Sequence, residues 1–222
     1  MKLFLLSKLN SHREDSVNKL LLSTIGKKGA QVGYISFNSD SMRKVFNSNM
    51  FFYRGLGLSN ILYFDLEEEF NSTITDNILN CDAIYLCSDD TNKLLYLLKK
   101  RNMNKILKRY VSQGGILVGV SAGGILMTED IAIASLIVGE EPPVKDATFL
   151  SLVDFTFIPH WQENTQYLPM LIDYSLQHRK KIYCCSDGYG IAVIDNKIEF
   201  FGDIVKIHEG NISIYKGNYK VF

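Results

Sequence analysis

No sign of charge dominates this sequence: its 24 basic and 24 acidic residues cancel. No global field therefore points to nucleic acid or an anionic membrane, and the run Lys99-Lys100-Arg101 reads as a solvated helix face. No apolar run reaches the roughly 18 to 20 residues needed to span a bilayer. The amino-terminal stretch is apolar only as far as Leu6 and breaks at Ser7-Lys8 with no small-residue cleavage site after it. It reads as a first buried strand rather than an export signal, so a cytoplasmic location is expected. The four cysteines, Cys81, Cys87, Cys184 and Cys185, lack the CxxC spacing of a metal site and do not form a secreted disulfide framework. Adjacent cysteines rarely pair with each other, so reduced, buried thiols are expected, with neither a metal ligand set nor a cofactor. Internal repeats and low-complexity segments are also absent.

What remains is a chain of 222 residues with 46% hydrophobic content, enough to bury a core as one domain spanning 1–222. Short apolar runs recur at 3–7, 31–37, 60–66, 82–88 and 115–121. Each is aliphatic and β-branched on both faces, as expected of parallel strands covered by helices on two sides, and each is separated by room for a crossover helix. Helical spacing appears in Ser16 to Ile25 and again from Leu94 to Val111. After residue 121 the order is less regular. Glu140-Glu141-Pro142-Pro143 marks a loop, 155–161 reads as a strand ending at Pro159, and Gln166 to His178 as a helix. The tail from Gly190 to Tyr215 reads as successive hairpins closing one edge of the sheet. The expected fold is α/β, a three-layer, doubly wound, mostly parallel sheet with a β-rich carboxyl-terminal edge. That edge is able to pair across a two-fold axis in a homodimer.

The most informative segment is Gly114 to Gly124, where a lone serine stands between small residues at the end of an apolar run. Gly119-Val120-Ser121-Ala122-Gly123 matches G-x-S-x-G, the nucleophile elbow, in which a sharp strand-to-helix turn exposes the hydroxyl. A close-packed glycine turn, or one cradling a phosphate, is the plainer alternative. Because a serine hydroxyl needs a neighbouring base, the elbow calls for a histidine at a later strand end. His12, His178 and His208 fall in polar or tail segments and read as surface residues. His160, after Phe155 to Pro159, is the candidate at the sheet's carboxyl edge, with Trp161 beside it as a wall of the site. An acid must orient the imidazole. Asp187, in the short loop before the strand Ile191 to Ile194, is favoured, although an Asp-Gly turn accounts for it equally well. Glu129 and Asp130 are the main alternatives, and Asp154 a weaker one.

With GVSAGG at 119–124, IPHW around His160 and the Asp187 strand, the chain resembles the peptidase E family of serine peptidases, which share the class I glutamine amidotransferase-like (flavodoxin-like) fold. The order serine, histidine, acid is that of the family and differs from the α/β hydrolases. The resemblance runs from the first strand to about Gly202. It implies hydrolysis of a short peptide or related amide through an acyl-enzyme: Ser121 attacks, His160 shuttles the proton, Asp187 orients it, and the Ala122 N–H is one oxyanion donor. The implied partner is a small peptide, and the family's preference for amino-terminal acidic dipeptides would require a basic group in the pocket. The family's Gly-Gly-Asn-Thr loop, which completes the oxyanion hole, is replaced here by Ser88-Asp89-Asp90-Thr91. Asp89 tolerates the backbone such a loop requires, but its carboxylate would oppose a developing oxyanion unless it turns away to cap the next helix. The family acid is often glutamate, so Asp187 must approach His160 more closely.

Two other functions fit the same residues. One is a non-catalytic amidotransferase-like domain that binds a small molecule or partner, with the altered 88–90 loop as its trace. The other is a serine hydrolase or acyltransferase acting on a different amide or ester. A glutamine amidotransferase proper is disfavoured, because its nucleophile is a cysteine thiolate.

Overall fold

The computed structural model describes residues 1–9, 16–37, 39–137, 139 and 148–221. His12 and the Glu140 to Pro143 loop lie outside them. In chain order the elements are β1 (Lys2–Leu6), α1 (Ser16–Ile25), β2 (Gln31–Ser36), α2 (Asp40–Gly55), β3 (Asn60–Asp65), α3 (Ser72–Leu79), β4 (Ala83–Ser88), α4 (Thr91–Lys100), α5 (Met103–Ser112) and β5 (Ile116–Ser121). There follow α6 (Ala122–Ile125), α7 (Ile131–Ile137), β6 (Thr156–Ile158), α8 (Trp161–Asn164), α9 (Leu168–His178), β7 (Lys181–Cys185), β8 (Gly190–Ile194), β9 (Lys197–Phe201), β10 (Ile204–His208), β11 (Asn211–Tyr215) and β12 (Tyr219–Val221).

The five apolar runs become β1 to β5, and they pair in parallel in the order β1-β5-β4-β2-β3. Residues 3–6 of β1 and all of β4 are buried, as continuous apolar strands between helical layers should be. On the other side of β1 the sheet continues antiparallel through β8, β9 and β12. The result is an α/β fold with a mostly parallel central sheet, as expected.

The carboxyl-terminal part differs from the expected row of hairpins along one edge. A second sheet, in the order β11-β10-β7-β6, takes β10 and β11 out of the central one. Its inner strand β7 grows out of the basic run at 178–181, whose charge hides a strand: Ile182 to Cys185 are buried. The strand carrying Phe157 and Ile158 is therefore in the second sheet, parallel to β7. Buried apolar residues of both sheets form one contiguous core.

The expected helix from Leu94 to Val111 is broken in two. Asn102 adopts left-handed backbone geometry (φ 54°), and the neighbouring Arg101 turns inward, donating from Nε to the Leu66 carbonyl at 2.9 Å and from Nη2 to the Glu67 carbonyl at 2.7 Å. Two backbone acceptors hold this guanidinium, so it is no part of a solvated basic face. The four cysteines are buried and free, in line with the sequence. Among the described residues no helix is long and apolar enough to cross a membrane.

The turn from β5 into α6 needs its glycines for space. A Cβ on Gly123 would lie 2.0 Å from the Leu86 carbonyl oxygen of β4, and one on Gly119 would lie 2.6 Å from the Gly123 backbone. Only hydrogen fits between these backbones. Gly123→Ala is expected to cost about 2 to 4 kcal/mol in denaturant unfolding, because the obstacle is backbone that cannot swing aside. Gly55→Ala, where nothing lies within 4 Å, should stay within about 0.5 kcal/mol of the parent. Equal stabilities would show that α6 is free to move away from β4.

Candidate active site

Three neighbouring strands bring serines to one end of the central sheet. β5 ends at Ser121, its Cα paired with that of Ser88 at the end of β4, while Ser7 continues β1 beyond the Leu6–Val120 pair. Ser121 is the junction of strand and helix, with φ 51° and ψ −116°. A side chain held at that backbone geometry costs about 1 to 3 kcal/mol and is retained only where its surroundings fix it.

The second sheet delivers the imidazole and the carboxylate. In β6 and β7 the register pairs Ile158 with Cys184, so the residues that follow each strand emerge side by side. His160 leaves β6 through Pro159, and Asp187 leaves β7 through Ser186. His160 Nε2 lies 2.9 Å from Ser121 Oγ, and its Nδ1 lies 2.6 Å from Asp187 Oδ1. The histidine and aspartate side chains are each about a quarter exposed, so the chain of three opens to solvent on one side.

A residue not singled out in the sequence ties this arrangement together. Ser7, fully buried, accepts a hydrogen bond from the His160 backbone N–H at 2.8 Å and donates its hydroxyl to Asp187 Oδ1 at 2.9 Å. Its own N–H donates to the Tyr189 carbonyl at 3.1 Å. The signal was present, since a serine ending an apolar strand marks the same sheet edge as Ser121, but nothing local says what it faces. Gln162 Oε1 accepts from the Asp187 N–H at 2.8 Å, and Asn164 Nδ2 donates to the His160 carbonyl at 2.9 Å. Both come from α8, so this short helix clamps the two loops.

Burial would raise the Asp187 pKa, but the Ser7 hydroxyl, His160 and Lys8 outweigh it and hold the carboxyl below its ordinary value. Lys8 Nζ is 3.6 Å from Oδ2. A carboxylate kept ionised beside Nδ1 fixes that nitrogen as the donor and leaves Nε2 free to accept from a hydroxyl.

The remaining sequence candidates lie elsewhere. Glu129 accepts from Lys180 Nζ at 3.0 Å and Asp130 accepts from the Tyr174 hydroxyl, so neither alternative acid is brought to His160. Asp154 pairs with Lys181. His178 is exposed, while His208 is half-buried within β10. Trp161 is buried in the core and is not part of the cavity wall. Ala122 follows Ser121 directly, and Asp89 is exposed on the wall of a cavity of about 670 Å³ that Ser7, Ser121 and His160 also line. Among the described residues no group of His, Cys, Asp and Glu is arranged to hold a metal ion.

Ser7→Ala would take away the acceptor of the His160 N–H and remove a stabilising donor from Asp187. Its cost in unfolding free energy is expected to be about 1 to 3 kcal/mol at neutral pH. The part owed to Asp187 has a defined sign. Because the folded carboxyl titrates below its unfolded value, that stabilisation is present above the unfolded pKa and is lost as pH falls through the folded one. The difference between parent and variant should thus shrink from about pH 7 towards pH 3. A pH-independent difference would remove Asp187 from the account.

The chain is similar to several known proteins. A curated uncharacterized peptidase of Pasteurella multocida is 25% identical over 134 residues, which is 60% of this chain and 61% of the relative. One from Listeria monocytogenes is 29% identical over 99 residues, or 44% of this chain and 48% of the relative. The matched stretch thus spans about half to three fifths of those relatives. Among solved structures, a peptidase from an acI-B1 Actinobacterium superposes with a TM-score of 0.76 at 13% identity, covering 99% of this chain and 96% of that one. A putative peptidase E protein from Listeria monocytogenes superposes with a TM-score of 0.65 at 22% identity, covering 97% and 98%. These likenesses establish the fold. The model of peptidase family S51 matches residues 3–201, and the chain belongs to that family.

Proposed function

We propose that the protein is a serine hydrolase of the peptidase E type that cleaves short peptides through Ser121, His160 and Asp187. The observation that carries this reading is the continuous run of contacts from Ser121 Oγ to His160 Nε2 (2.9 Å) and from His160 Nδ1 to Asp187 Oδ1 (2.6 Å). As Oγ attacks the scissile carbonyl carbon, its proton passes to Nε2 and the imidazolium is stabilised by Asp187. The oxyanion formed is stabilised by the Ala122 N–H and by an amide of the loop at Asp89. Breakdown returns the proton from Nε2 to the leaving amine and leaves an acyl-serine. Water then repeats the sequence, with His160 as its base, and releases the carboxylic acid.

A cavity of about 670 Å³ suits a short peptide rather than a folded chain.

A fluorophosphonate should label the parent at Ser121 and leave Ser121→Ala unlabelled, as read by intact-protein mass. A correctly folded parent that stays unlabelled would favour the binding domain instead. With a cleavable peptide in hand, His160→Ala is expected to lower kcat/KM by at least a few hundredfold. His178→Ala should change it little; an equal loss there would reassign the base. Asp187→Asn should cost far more turnover than Glu129→Gln or Asp130→Asn, and the reverse ranking would reassign the acid.

A further inference from the structure

Resting on the hydrolase reading, the charges around the cavity bear on what it accepts. Its charged lining residues are Lys8, Lys44 and Asp89. Lys8 already faces Asp187. Asp89 is placed differently. It follows Ser88, whose Cα pairs with that of Ser121 across adjacent strands, which run about 4.8 Å apart. The next residue, Asp90, takes the capping work of the loop: its Oδ1 accepts from the Lys93 N–H at 2.8 Å at the start of α4. Ser88 Oγ folds back onto Asp90, accepting from its N–H and donating to its carbonyl, each at 3.0 Å. Asp89 is thereby left with an exposed side chain on the cavity wall, and among the described residues it makes no hydrogen bond or ion pair.

A carboxylate on the same cavity wall as the nucleophile has an unequal effect on substrates. With a neutral or acidic peptide bound, it repels the oxyanion that forms on attack and raises the barrier. With a cation seated against it, the repulsion is cancelled and the cation's field also reaches the oxyanion. The discrimination is therefore expressed most strongly in the transition state, where charge develops. We infer that Asp89 is a specificity-determining residue that anchors an ammonium group of the substrate beside Ser121. The group is either the free α-amino group or a basic side chain of the peptide.

The test uses fluorophosphonates matched in shape, carrying a terminal trimethylammonium, its neutral tert-butyl isostere, or a carboxylate. Each is made with a two-carbon and a five-carbon spacer to mimic an α-amino group and a basic side chain. Ser121 Oγ forms the bond to phosphorus, fluoride leaves, and the hydroxyl proton passes to His160. Second-order labelling rates are read by intact-protein mass. For the parent, the cationic probe of at least one spacer length is expected to react about five- to tenfold faster than its isostere, with the anionic probe slowest. The spacer length showing the larger ratio identifies the source of the ammonium. Asp89→Asn, and Asp89→Gly as a second variant, should bring the three rates to within about twofold of one another, while Lys44→Met keeps the preference. High salt should narrow the parent's ratio. Equal parent rates, or a ratio unchanged in both Asp89 variants, would overturn the assignment while leaving the hydrolase reading intact. Absence of labelling by every probe would remove both.

Discussion

The candidate site exists only where two sheets meet, and the Ser7 hydroxyl is the bond that joins them there. Ser121 belongs to the central sheet, whereas His160 and Asp187 follow β6 and β7 of the second one. Sheets that share only apolar packing can slide by fractions of an ångström at small energetic cost, and a nucleophile and its base tolerate little of that. Ser7, at the end of β1 next to β5, accepts from the His160 backbone and donates to the Asp187 carboxylate. One buried hydroxyl thereby fixes both loops of the second sheet against the strand beside the one that ends at Ser121. Because the Ser7 hydroxyl is itself fully buried, it has no water to turn to if these bonds break.

That Ser121, His160 and Asp187 could meet was legible in the sequence because the signals for the first two are local. Gly119, Ser121 and Gly123 declare a tight turn through residue size alone, and a proline-histidine pair after an apolar run declares a strand end. Asp187 was harder to read, since an Asp-Gly turn explains it equally well. The observed register of β6 and β7 brings it within 2.6 Å of the imidazole. What escaped was the partition of the tail into two sheets. Strand periodicity reports that a segment is half-buried or buried, but not which neighbour it pairs with, and in β7 the preceding basic run masked the apolar core. The helix break at Asn102 escaped for a related reason: the acceptors that draw Arg101 inward are carbonyls of Leu66 and Glu67, far away in sequence.

Backbone strain at the site follows the same logic. Ser121 and His160 both hold positive φ, at 51° and 55°, although neither is glycine. Each is fixed on both sides: Ser121 by β5 and by an α6 that touches β4 through Gly123, His160 by hydrogen bonds from its N–H to Ser7 and into its carbonyl from Asn164. Relaxing either residue would break strand pairing or those bonds, which costs more than the strain released. The backbone carrying Oγ and Nε2 is therefore costly to move, and the 2.6 Å contact of Nδ1 with Asp187 orients the ring whose Nε2 lies 2.9 Å from Oγ. In the proposed hydrolase, a substrate would then have to supply only its own alignment.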